Sequence, residues 1–248
     1  MPIAMRRYLD RALADHRQAL SNGEGISEQL WLSAILLSHV HWLLAHQKQP
    51  GELYELPLQV FKMLEGTSTL FVREKALLER LGYDWVGNGA IPHTLRDDEL
   101  TVAARAQLQG IDKDLTHLLE AFNVPTVLEY ARSIYTEAKD YILYYYRAFY
   151  SGAPAKSLRR FIGFMPLNCQ PGYRRLLGRH DPLAMALMAR MLVLLSALDH
   201  AWWMNGEGDY EVVERDVQGI LDLMPVELRW VMDWPCKALD GEIVLKKA

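Results

Sequence analysis

The chain has 248 residues, of which 50% are apolar and 23% are charged, and its formal net charge is -4. A chain of this length and apolar content can bury a core, so the composition excludes an intrinsically disordered protein. The small negative charge provides no basic field, which disfavours nonspecific binding to nucleic acid or to an anionic membrane. Its two cysteines, Cys169 and Cys236, lie too far apart in sequence for a paired-cysteine zinc or redox motif.

Two stretches bear on the cellular location. The N-terminal sequence MPIAMRRYLDRAL is interrupted by charged residues and lacks the continuous apolar segment of a signal peptide. The longest apolar tract, residues 182–204, contains Arg190, and an arginine in the middle of a membrane helix costs about 2.5–3.5 kcal/mol. We therefore expect a buried core helix here without membrane insertion, in an intracellular protein of the cytoplasm, the nucleus or both.

Helical signals run through the whole chain, and only the C-terminal GEIVLKK has the composition of a strand. The second predicted helix, which Ser27 is expected to cap, is apolar on nearly every face, as is typical of an element surrounded by others. Asp181 and Pro182 form the clearest start signal, because aspartate caps a helix and proline fits its first turn. The predicted helices cover residues 2–20, 27–47, two shorter segments split at Gly66, a segment from Asp97 or Asp98 to 122, and then 125–150, 157–164, 170–177, 182–205, 210–223 and 225–233.

These elements predict the fold class. With no convincing strand, the chain should be an all-α protein, a single helical domain over residues 1–248 built as a bundle of about eight to ten helices around an apolar core. We also expect this bundle to hold an internal hydrophobic pocket.

The C-terminal third carries a distinctive order of aromatic residues. An apolar helix opened by a proline leads to a Trp-Trp pair and a glycine turn, and an amphipathic helix then precedes a tryptophan and a closing Trp-Pro. These are Pro182, Trp202-Trp203, Gly206 and Gly208, Trp230 and Trp234-Pro235. The block resembles the end of the regulatory domain of fungal zinc-cluster transcription factors of the sterol uptake control type. The segments RRYLDRALADHRQAL, SEQLW and FKMLEGTSTLF are similar to earlier helices of that domain.

The resemblance implies a helical bundle that binds a sterol in a hydrophobic pocket, with ligand occupancy controlling gene activation. Family members also carry a binuclear zinc cluster built on six cysteines and a basic linker, and this chain has neither. Two classes of function stay open. One is a sensor or binding module for a sterol- or terpenoid-like molecule. The other is a cofactor-free enzyme of fungal specialised metabolism that performs a cyclisation, pericyclic or isomerisation reaction on a terpenoid or polyketide. A homodimer is open as well.

Aromatic residues on two predicted helices are the candidates for the pocket wall. Tyr141, Tyr145 and Phe149 form one stripe with i, i+4 spacing, and several buried tyrosines together suit a mostly apolar cavity with a few polar groups. The alternative is a core stripe with half-exposed tyrosines. Trp202 and Trp203 are expected to wall the pocket for a flat polycyclic ligand, or else to anchor a helix end.

Arg190 lies among small and apolar residues on the predicted helical face. If buried, it needs a carboxylate or carbonyl partner, so it is either an anchor for a ligand oxygen or part of a structural ion pair. We place the pocket between the three longest apolar helices, 27–47, 125–150 and 182–204. Its predicted residues are Trp42, Tyr141, Tyr145, Phe149, Arg190, Leu194, Trp202 and Trp203.

Common catalytic and metal motifs do not occur in the sequence. There is no GxSxG, HExxH, phosphate-binding loop or dinucleotide fingerprint. His39 and His41 are two residues apart and point to opposite sides of a helix, and the adjacent Asp199 and His200 also diverge there. We therefore expect no metal, no cofactor and no direct contact of this chain with nucleic acid.

Overall fold

The computed structural model describes residues 3–22, 28–46, 53–83, 92–122, 129–163, 165–201 and 211–245. All regular structure within these ranges is helical, and they contain no strand, which includes the described part of GEIVLKK. The prediction of an all-α protein is confirmed.

The chain divides into two compact units. Unit 1 comprises residues 1–52 and 57–89, and unit 2 comprises residues 53–56 and 90–248. The organisation as a single domain stays a prediction.

The described part of unit 1 holds four helices: α1 (Ile3–Ser21), α2 (Glu28–His46), α3 (Leu58–Arg73) and α4 (Lys75–Arg80). The predicted split at Gly66 is wrong, because α3 continues through this glycine to Arg73. The buried residues Leu64, Thr67 and Phe71 keep the helical spacing on both sides of Gly66, so burial of one continuous face outweighs the low helix propensity of glycine.

Aromatic packing organises the core of unit 1. The Trp31 ring lies 5.6 Å from the Phe71 ring and 5.1 Å from the Tyr83 ring, measured between centroids, and Leu78 of α4 belongs to the same cluster. The Tyr83 hydroxyl donates a hydrogen bond to the Glu28 carboxylate at the start of α2. These contacts join α2, α3 and α4 into one core.

The described part of unit 2 is larger. Its helices are α5 (Val102–Ala121), α6 (Glu129–Tyr150), α7 (Ala155–Ile162), α8 (Met165–Asn168), α9 (Pro171–Leu177), α10 (Pro182–Ser196), α11 (Val212–Leu223), a 3-10 helix (Val226–Met232) and α12 (Asp233–Leu239). The helix α12 was not predicted. Its third residue, Pro235, is tolerated because the first turn of a helix needs no N–H donor there.

Helix α10 is the centre of unit 2. Every residue from Leu183 to Leu195 is buried, and the helix contacts α5 to α9, α11, α12 and the 3-10 helix. Two hydrogen bonds link it to α6: Tyr135 donates to Asp181 near the start of both helices, and Tyr146 donates to the Arg190 carbonyl further along. The bond closer to the C-terminal end of α6 is also the one closer to the C-terminal end of α10, so the two helices run in the same direction.

The start of α10 agrees with the sequence prediction, but its end does not. The Asp181 carboxylate accepts the Ala184 N–H at 2.9 Å, so the predicted cap and proline start are confirmed. The predicted end near residue 205 is wrong, because the helix ends at Ser196 and residues 197–201 are not helical. The Ser196 hydroxyl donates a hydrogen bond to the Val193 carbonyl, and this bond competes with the backbone hydrogen bonds of the helix. The exposed Asp199 then ends the apolar pattern of the sequence.

Further differences concern caps and one close packing contact. Thr101 caps α5 by accepting the Ala104 N–H, so the predicted capping by Asp97 or Asp98 is wrong. The predicted starts at Ser27 and at residue 125 lie outside the described residues. In unit 2, a Cβ at Gly219 of α11 would lie only 2.1 Å from a ring carbon of Tyr54, so this glycine permits the close approach of that ring.

Candidate functional site

The structure describes six of the eight predicted pocket residues, whereas Trp202 and Trp203 lie outside the described residues. Trp42 is buried on α2 of unit 1. The other five lie on α6 and α10 of unit 2. A pocket shared by α2, α6 and α10 stays a prediction.

The aromatic stripe of α6 packs against α7. The Tyr141 and Tyr145 rings lie 4.6 Å apart, and the Tyr145 ring stacks on Phe161 at 5.1 Å with an interplanar angle of 22°. The Tyr141 hydroxyl donates to the Phe161 carbonyl at 2.8 Å and accepts from the Asn168 side-chain amide at 2.9 Å. Two members of the predicted stripe, Tyr141 and Tyr145, therefore lie in ring contact, and Phe161 extends this cluster in a way that the spacing on α6 alone did not indicate.

The titration behaviour of this stripe follows from its burial. Burial raises the pKa of Tyr141 and of Tyr145 well above the ordinary tyrosine value. Both hydroxyls are therefore neutral at physiological pH and cannot act as bases.

The C-terminal ends of α6 and α10 lie at the same end of unit 2, because the two helices run in the same direction. Since Tyr146 bonds to the Arg190 carbonyl, the residues one turn further along, Tyr150 and Leu194, lie at about the same level. We call this region the C-terminal pole and define it by its buried residues Tyr145, Phe149, Tyr150, Phe161 and Leu194.

The chain that follows α10 also lies at the C-terminal pole. Arg159 of α7 donates a hydrogen bond to the carbonyl of Asp199, and α7 contacts both α6 and α10. Residues 197–201 are therefore held beside α7, the helix that carries Phe161.

One hydroxyl at the C-terminal pole has no hydrogen-bond partner among the described residues. Tyr150 is only 2% exposed, its ring contacts Phe149 edge to face at 5.2 Å, and its oxygen is buried. Burial raises the pKa of this hydroxyl to about 12, so it too is neutral. Its sequence position gave no sign of this, because the partner of a tyrosine hydroxyl depends on tertiary structure.

Arg190 is 3% exposed and forms a two-pronged ion pair with Asp114 of α5, at 2.5 Å from Nε and 3.0 Å from Nη2. Its Nη1 also donates to the carbonyls of Ala186 and Val231, each at 3.0 Å. Four of the five N–H groups of the guanidinium are therefore used within unit 2, and the group lies 5.9 Å from the Trp234 ring. This arrangement favours the structural ion pair over the ligand anchor.

Two surface cavities border α5 in unit 2, and neither is lined by a predicted pocket residue. The larger, of about 570 Å³, lies between α5 and α6 and carries two ion pairs at its edges, Arg147 with Asp97 and Lys139 with Asp112. The smaller, of about 190 Å³, lies near the start of α6 and is lined by Leu119, Glu120, Phe122, Arg132, Tyr135, Thr136 and Leu183.

Metal ligands do not converge in the part of the chain that the structure describes, where no three His, Cys, Asp or Glu side chains are grouped. Burial raises the pKa of the Cys169 thiol to about 12, so it is not a reactive thiolate. Among the described helices, none is long and apolar enough to cross a membrane.

Comparison with known proteins adds no assignment. The sequence matches no protein-family model and no curated protein, and the fold matches no solved structure.

Proposed function

We propose that this chain binds a hydrophobic small molecule of sterol-, terpenoid- or polyketide-like chemistry at the C-terminal pole of unit 2. The proposal keeps the relationship to the regulatory domain of fungal zinc-cluster factors, with this chain acting as a binding or sensor module without a zinc cluster of its own. It rests chiefly on one observation, the stack of the Tyr145 and Phe161 rings at the pole, with the Tyr141 ring 4.6 Å from that of Tyr145.

The chemistry of the pole suits such a ligand. Small-molecule sites are mostly apolar with a few polar groups that fix orientation, and tyrosine combines an apolar ring with a hydroxyl at its tip. Here the polar group is the Tyr150 hydroxyl, while Phe149 and Leu194 are apolar. Ring faces and aliphatic side chains would contact the hydrocarbon body of the ligand.

A cofactor-free enzyme is the second candidate, and it is favoured by the buried Tyr150 hydroxyl, which bonds to none of the described residues. A neutral hydroxyl in an apolar environment can donate a hydrogen bond to a substrate carbonyl as charge develops on its oxygen. The Tyr150 hydroxyl has this property because it is buried and bonds to none of the described residues, whereas the Tyr141 proton is already donated to the Phe161 carbonyl. Such a site would catalyse a cyclisation or isomerisation by shaping and polarising its substrate.

The test is a titration of the purified protein with farnesol, and with cholesterol delivered from cyclodextrin, followed by thermal unfolding and tryptophan fluorescence. A ligand at one hundred times its dissociation constant stabilises the native state by about 2.7 kcal/mol. For a protein of this size, that raises Tm by about 5–11 °C. The result expected is such a rise with at least one probe.

Variants locate the site. Trp202→Ala and Phe161→Leu should weaken binding, whereas Tyr130→Ala, at the exposed opposite end of α6, should not. Circular dichroism checks that each variant folds. If neither probe shifts Tm or fluorescence at its solubility limit, the proposal is wrong. If extraction returns a chemically altered molecule, the enzyme replaces the sensor as the better description.

A further inference from the structure

The buried tyrosines of unit 2 fall into two groups according to their hydroxyls. Tyr146 donates to the Arg190 carbonyl at 2.7 Å, Tyr173 donates to the Ala184 carbonyl at 2.8 Å, and Tyr135 donates to Asp181 at 3.0 Å. The Tyr150 hydroxyl is equally buried but bonds to none of the described residues. Because buried hydroxyls in native proteins are nearly always hydrogen-bonded, its position calls for a partner that the described residues do not supply.

We propose that the Tyr150 hydroxyl hydrogen-bonds a neutral oxygen, a hydroxyl or a carbonyl, on the hydrophobic ligand of the C-terminal pole. This inference rests on the proposed function and specifies its ligand class as an oxygenated hydrocarbon. The surroundings of Tyr150 agree with the rest of the ligand being apolar, since Phe149 contacts its ring and Leu194 lies at its level on α10.

The charge of Arg190 is not available to an acidic ligand. Arg190 lies about one turn below this level, but its guanidinium is already paired with Asp114 and bonded to two carbonyls. A carboxylate or phosphate at the pole would lose its hydration without gaining that cation. An alcohol or ketone needs only one hydrogen bond, which the Tyr150 hydroxyl can donate or, for an alcohol, accept.

Tyr150→Phe and Tyr146→Phe form a matched pair for the test, because both remove one hydroxyl from a buried ring on α6, one turn apart. Without ligand, Tyr146→Phe should lower Tm by about 2–6 °C because it removes a bonded hydroxyl. Tyr150→Phe should leave Tm unchanged or raise it, because its hydroxyl bonds to none of the described residues.

Binding is measured with two oxygenated probes and their hydrocarbon counterparts, farnesol against farnesene and cholesterol against cholestane. The wild type should bind each alcohol about 2- to 12-fold more tightly than its hydrocarbon, the range for one hydrogen bond. Tyr150→Phe should lose this preference and keep its affinity for the hydrocarbon. Tyr146→Phe should keep the preference.

The outcomes separate this inference from the proposed function. If Tyr150→Phe lowers Tm as much as Tyr146→Phe does, the hydroxyl already has a partner such as a buried water, and the inference is wrong. If the wild type binds alcohol and hydrocarbon equally, or if Tyr150→Phe retains the preference, the inference fails while hydrophobic binding stands. If the wild type binds none of the four probes, both fail.

Discussion

The ion pair at the centre of unit 2 offers a quantitative test of the structure. Asp114→Ala removes the carboxylate from Arg190, whose guanidinium is 3% exposed. The carbonyls of Ala186 and Val231 still accept hydrogen bonds but do not neutralise the charge. Breaking a buried ion pair by removing one partner costs about 3–5 kcal/mol. Because 22% of the Asp114 side chain is exposed, water can reach the vacated space, and we expect about 3 kcal/mol.

The assay is urea unfolding followed by circular dichroism, with the m-value checked for each variant. A loss of about 3 kcal/mol corresponds to a fall in Tm of about 6–12 °C. Asp112→Ala, two residues away on α5, is the matched control, because that carboxylate is 54% exposed and its pair with Lys139 should contribute at most about 1 kcal/mol. Equal effects of the two variants would refute the buried pair.

Two further predictions concern packing and pH. Gly219→Ala should destabilise the protein by about 1–3 kcal/mol because its Cβ meets the Tyr54 ring, whereas Gly110→Ala, with open space on α5, should stabilise it by about 0.5–1 kcal/mol. Urea midpoints that shift in the same direction would contradict this. Stability should also fall as pH rises above about 10, because the unfolded tyrosines then ionise while the folded ones keep their protons. The tyrosines whose pKa burial raises include Tyr54, Tyr135, Tyr141, Tyr145, Tyr146, Tyr150 and Tyr173. Urea midpoints measured from pH 8 to pH 12 check the direction, and a constant or rising midpoint would contradict it.

Local chemistry accounts for the parts of the fold that the sequence predicted. The start of α10 depends on Asp181 and Pro182, which act within one turn, so it could be recognised without tertiary information. The end of the same helix could not, because the apolar run continues past Ser196 and only the hydrogen bonds show where the ladder stops. At Gly66 the sequence predicted a break where the helix continues, because burial of one continuous face outweighs the low helix propensity of glycine.

In the candidate site as well, some features follow from the local sequence and others depend on tertiary packing. The i, i+4 stripe of Tyr141 and Tyr145 follows from helical geometry, but their stacking on Phe161 depends on how α7 packs. The sequence required a partner for a buried Arg190 but left its identity open, because Asp114 lies 76 residues away. The pocket that would include Trp42, Trp202 and Trp203 stays a prediction.

A hydrophobic ligand should prefer the C-terminal pole to the larger cavity between α5 and α6. That cavity is bordered by the ion pairs of Arg147 with Asp97 and Lys139 with Asp112, which are partly hydrated. An apolar molecule placed there would strip water from these charges without offering hydrogen bonds in return, and desolvation of charges is costly. At the pole, the same molecule would contact aromatic rings that are already shielded from water, and one neutral hydroxyl would remain to receive its oxygen. The polarity of the lining residues is therefore a better predictor of where a hydrophobic ligand binds than the volume of a cavity is.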